Sequence, residues 1–137
     1  MIAQKLFPAL KEKFSNFYTL KEEMPNRMMR IKAVHPAVGD LLVYDDGDEA
    51  TVLIEKITHG HFAPYDYELT DEERDSIVTE MVIEFLQELF RDEVLLFKTP
   101  SNSMGGWRRL RFNDNPLDLK EDLEYYLWSE PYKADVA

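Results

Sequence analysis

The stretch from Thr70 to Arg91 constrains this 137-residue chain more than any other, because it reads as one long helix with a broad apolar face. Thr70 suits the N-cap, and Glu73 three residues later completes a capping box. Asp71, Glu72 and Asp75 lie near the positive end of the helix dipole. Ile77, Val78, Met81, Val82, Phe85, Leu86, Leu89 and Phe90 recur at i, i+1, i+4 and i+5, a face wide enough to cover a sheet. Such a helix cannot bury that face alone, so the remaining chain must supply the surface it covers.

Strand patterns on both sides of it meet that need. Leu41-Leu42-Val43-Tyr44 and Thr51-Val52-Leu53-Ile54 flank Asp45-Asp46-Gly47-Asp48-Glu49, where Asp-Gly provides the positive backbone dihedral of a tight hairpin. Met29, Ile31 and Ala33 alternate with Arg30 and Lys32, which predicts a strand ended by His35-Pro36. Val94-Leu95-Leu96-Phe97 and Arg109-Leu110-Arg111-Phe112 predict two more. At the start, Ile2, Leu6, Leu10 and Phe14 mark the buried stripe of an N-terminal helix, with Phe17, Tyr18 and Leu20 extending it and Pro8 limiting its first turns. Asn115 as cap and Pro116 at the first helical position predict a C-terminal helix through Leu119, Leu123, Tyr126 and Leu127. The expected fold is α+β. It is a single two-layer domain over residues 1–137, with a mostly antiparallel sheet of about five strands, the long helix across one face, and a helix at each end.

The chain has no cysteine, which removes disulfides, thiolate metal sites and thiol nucleophiles together. Met1–Pro8 lacks the apolar run of a signal peptide, and no apolar stretch approaches 18 residues, so the expectation is a soluble protein of the cytoplasm. The formal net charge is −11 and is unevenly placed: residues 66–93 hold 11 acidic and 2 basic side chains, whereas residues 94–112 hold 4 basic and none acidic. Such an acidic chain repels phosphate backbones and anionic lipid, which argues against nucleic-acid and membrane binding. Dinucleotide, P-loop and nucleophile-elbow motifs are absent from the sequence. The acidic turn at residues 45–49 lacks the twelve-residue ligand spacing of an EF-hand.

Three constellations remain. In His59-Gly60-His61 both imidazoles fall on one side of a strand, and Asp66 follows, flanked by Tyr65 and Tyr67. Two imidazoles and a carboxylate suit zinc or another divalent transition metal with water in the open position. In the second, Trp107, Arg109 and Arg111 alternate onto one strand face, able to receive a carboxylate or phosphate beside an indole. The competing reading of these arginines is internal neutralisation of the acidic helix or of the acidic hairpin. The third places Glu73, Glu80, Glu84 and Glu88 along one flank of the long helix, a negative stripe that attracts a basic partner or remains a solvated surface.

The leading functional expectation is a non-catalytic, acidic, protein-binding module without a cofactor, an inhibitor or toxin-neutralising protein being one form. The alternative is a small metal-dependent hydrolase or lyase using His59, His61 and Asp66. A second alternative is a homo-oligomeric structural protein packed through Tyr125-Tyr126-Leu127-Trp128.

Overall fold

The computed structural model describes residues 3–14, 21–23, 28–47, 49–64, 68–100, 105–110 and 123–130. They form an α+β fold of two helices and two antiparallel sheets. Helix α1 (Ala3–Lys13) is followed by β1 (Lys21–Glu23), β2 (Met28–Ile31), β3 (Leu41–Asp45), β4 (Ala50–Ile54) and β5 (Thr58–Phe62). Helix α2 (Asp71–Phe90) then leads to β6 (Val94–Lys98), β7 (Gly105–Arg109) and β8 (Glu124–Tyr126). The first sheet is a meander in the order β1-β2-β3-β4-β5, and the second has the order β7-β6-β8. Among the described residues, eight strands in two sheets therefore replace the single sheet of about five expected from the pattern. No described helix is long and apolar enough to cross a membrane.

The local chemistry explains most element ends. Thr70 accepts from the Glu73 backbone N–H at 3.1 Å while Glu73 accepts from the Thr70 backbone N–H, so the expected capping box opens α2. At the other end Asp92 takes a left-handed conformation (φ 59°), and its carboxylate accepts from the Ser129 backbone N–H at 3.1 Å and from the Ser129 hydroxyl. The β3–β4 hairpin turns at Gly47 (φ 85°), as the Asp-Gly signal requires. Strand β2 ends at Ile31 rather than Ala33, because Asp40 draws the chain away: it accepts from the Ala33 N–H at 2.7 Å and from Arg30 at 3.0 Å. The Ala33 N–H, with help from Arg30, holds the Asp40 carboxyl below its ordinary range despite some opposing burial.

One core joins these parts. Leu6, Leu10 and Phe14, three residues of the stripe expected from the sequence, are buried with Phe7 and with Met29, Leu41, Val52 and Ile54 of the meander, while Ile2 lies outside the described residues. From α2 come Val78, Val82, Phe85, Leu86 and Leu89, and from β6 Val94 and Leu96. Helix α2 packs on α1, with Phe90 edge-on to Phe14 at 5.3 Å, and also reaches β4 and β5. Phe85 lies where the two sheets meet, 5.3 Å from the Phe62 ring of β5 and 4.6 Å from the Trp107 ring of β7. Ile77 does not join the buried face; it is 36% exposed.

The C-terminal helix is corrected where it can be seen: Glu124, Tyr125 and Tyr126 are a strand hydrogen-bonded to β6, not helix. Aromatic side chains suit a pleated surface, and Tyr125 packs at 6.4 Å from Phe97 of β6. The proposed cap at Asn115 and Pro116, and Leu119, lie outside the described residues, as do Phe17, Tyr18 and Leu20.

Candidate functional site

The histidine pair occupies β5, whose pairing with β4 sets Leu53 opposite His59 and Thr51 opposite His61. Gly60 does not end this strand. A methyl group added to it would come within 3.4 Å of Trp107 Nε1, so a glycine here leaves room for the indole behind the sheet. With Gly60 facing inward, His59 and His61 are both exposed on the outer side, their ring centroids 5.2 Å apart. Asp66, the expected third ligand, lies outside the described residues, as do Tyr65 and Tyr67.

The carboxylates that meet His61 come instead from the β3–β4 turn. Glu49 Oε1 lies 3.2 Å from His61 Nδ1, and Thr51 Oγ1 lies 2.9 Å from the same nitrogen. The Thr51 hydroxyl also donates to Asp46. One potential donor atom each from Asp46, Glu49 and His61 lies within 4.8 Å of the others. This grouping was within reach of the sequence. Once the Asp-Gly hairpin is accepted, the tight turn Glu55-Lys56-Ile57 folds β5 back along β4, and counting the register brings His61 beside the residues that follow the acidic turn.

The arginine face turns out to be the inner one. Trp107 and Arg109 do share a side of β7, as alternation requires, but that side faces α2. Trp107 packs on Phe85, and the Arg109 guanidinium lies 5.6 Å from the indole and 2.9 Å from Glu88 Oε2. Arg108 is the exposed neighbour, and Arg111 lies outside the described residues. Two candidates assigned to different partner surfaces, Arg109 and Glu88, thus bind each other. The Glu88 side chain is only 6% exposed, so the expected placement of Glu88 beside the apolar face is corrected. A wheel drawn from the helix alone leaves Glu88 on its margin, whereas β7 closes over that margin and supplies the cation that makes burial tolerable.

Glu73, Glu80 and Glu84 remain exposed on α2, with Glu73 also serving the cap. Ile77 stands among them, four residues after Glu73 and three before Glu80. The first turns carry an open concavity lined by Glu72, Glu73, Ser76 and Ile77, and Lys5 of α1 donates to Ser76 at its edge.

The aromatic C-terminal stretch serves this chain's own packing. Trp128 is buried against Phe90 with ring centroids 5.5 Å apart. Tyr126 donates its hydroxyl to Glu124 at 2.6 Å, and this bond to a carboxylate, with burial, pushes its pKa up to about 12. His35, the remaining histidine, lies 5.8 Å from the Tyr126 ring, and its Nδ1 accepts from the Ala37 N–H.

No family model matches the chain, and no curated protein or solved structure matches it.

Proposed function

We propose that this chain is a non-catalytic cytoplasmic binding module that recognises a basic protein through the exposed flank of α2. An inhibitor of a basic enzyme is one form of such a module. The observation that carries the reading is Ile77: a large aliphatic side chain left 36% exposed amid Glu73, Glu80 and Glu84. Interfaces anchor on an apolar residue near the centre of a patch, while a charged rim steers the approach. The partner this surface fits carries Lys or Arg around an aliphatic-sized recess.

The experiment is affinity capture with the full chain, followed by association kinetics on the captured protein. Three forms are compared: the parent, Ile77→Ser, and a triple change of Glu73, Glu80 and Glu84 to Gln. Gln at position 73 still completes a capping box, so the helix start is preserved. Ile77→Ser should raise the dissociation rate. The triple Gln variant should slow association and flatten its salt dependence, because attraction between exposed charges is screened within about 10 Å at 0.1 M ionic strength. A stoichiometric partner that binds all three forms with equal rates at every salt concentration refutes the assignment.

A further inference from the structure

We propose that Asp46, Glu49 and His61 form a binding site for a divalent transition-metal ion, with zinc the best fit, on the outer face of the β3–β4–β5 meander. The site goes beyond the partner surface on α2 and does not depend on it. Its donors come from two places in the chain, the turn between β3 and β4 and the second half of β5, and the antiparallel register alone brings them together.

The geometry suits a small ion. Zinc binds imidazole nitrogen and carboxylate oxygen at about 2.0–2.1 Å, which sets neighbouring ligand atoms of a tetrahedron about 3.3 Å apart. Glu49 Oε1 and His61 Nδ1 already stand 3.2 Å apart. The Asp46 carboxylate completes a set whose donor atoms all lie within 4.8 Å of one another, so ordinary rotation of exposed side chains closes it around an ion. Three protein ligands leave one tetrahedral position for water.

The surroundings favour a cation and hold the carboxylates in place. Asp45 adds negative charge beside the turn, and its carboxylate accepts from the Gly47 N–H at 2.9 Å. The Asp46 N–H bonds to the Glu49 carbonyl at 3.0 Å, which fixes the spacing of the two acidic ligands. Thr51 donates to Asp46, so on metal binding its hydroxyl becomes an outer partner that orients that carboxylate. An imidazole among the donors selects zinc, nickel or copper over calcium and magnesium, which take oxygen-only sets.

The test is calorimetric titration of Zn²⁺ into the purified full chain at neutral pH in a non-chelating buffer, repeated with Ca²⁺. The expected result is one Zn²⁺ per chain, with much weaker Ca²⁺ binding. His61→Ala and Glu49→Gln should each lower the zinc affinity at least tenfold, while His59→Ala leaves it within a few-fold. His61 is 51% exposed at its side chain, so its removal leaves the fold intact, which an unchanged metal-free melting curve verifies. Three outcomes overturn the site: no saturable binding, affinity unchanged in both His61→Ala and Glu49→Gln, or loss on His59→Ala with retention on Glu49→Gln.

Discussion

Replacing Arg109 with Met tests the buried pairing between α2 and β7 directly. At 2.9 Å and an effective dielectric constant of 20, the attraction between Glu88 and Arg109 is about 6 kcal/mol. Desolvation of the two ions, at several kcal/mol each, offsets most of it. The intact pair is thus worth little compared with an apolar pair of similar volume, but losing one member is costly. Arg109→Met strips the Glu88 carboxylate, 6% exposed, of this cation, and the expected cost is about 3 kcal/mol. The lower end of the range applies because Arg109, 23% exposed, sits where water can reach in after its removal. Glu88→Met should cost less, about 1.5 kcal/mol, since the freed guanidinium can turn toward solvent. The double Met variant should return to within about 1 kcal/mol of the parent or exceed it. Urea unfolding of the four proteins at neutral pH measures the cycle, with equal m-values required for comparison. Single variants that each lie within about 0.5 kcal/mol of the parent would mean that the pair behaves like a surface contact and that Glu88 does not depend on Arg109 for its burial.

Phe85→Ala should destabilise the fold by about 3–5 kcal/mol in the same assay, because the ring fills the junction of Phe62 and Trp107; a cost below about 1 kcal/mol would remove α2 from that junction. Asp40 has a folded pKa below its unfolded value, so its contribution is complete above about pH 4 and is lost as the pH falls through the lower folded value. Asp40→Asn should therefore be less stable than the parent at pH 6, with the gap closing toward pH 2; a gap independent of pH refutes the ionised role of Asp40.

Features whose causes lie within a few residues were legible in the sequence. Thr70 and Glu73 announce the start of α2, Asp46-Gly47 the hairpin, and the Leu6–Leu10–Phe14 spacing the first helix, because caps, turns and periodicity act locally. What the sequence hid depends on partners far along the chain. Lys21–Glu23 carries no strand signal of its own and is a strand only through its pairing with β2. The segment containing Tyr126 has helical spacing, yet β6 offers it a hydrogen-bonded edge. Alternation correctly put Trp107 and Arg109 on one side, but which side faced the core was decided by α2. The candidate metal ligands fall between these cases: His61 stands out as half of a pair, while bringing Glu49 and Asp46 to it takes the β4–β5 register, which can be counted once the hairpin is accepted.

The order β7-β6-β8 gives the two sheets different dynamic behaviour. Every pairing in the meander joins strands that are neighbours in sequence, whereas β8 must return to β6 across the chain between Lys98 and Glu124. The entropy of closing that longer loop falls on only three register pairs, with the Asp92–Ser129 clasp as reinforcement. β8 should therefore detach in brief local openings while the meander stays folded, and its amides should exchange hydrogen sooner than those of β3 and β4. Each opening uncovers one edge of β6, a strand buried at Val94, Leu95 and Leu96. At high protein concentration that edge is open to β8 from a second molecule, so conditions that favour the opening should also favour strand exchange between copies, which size-exclusion chromatography across a concentration series checks.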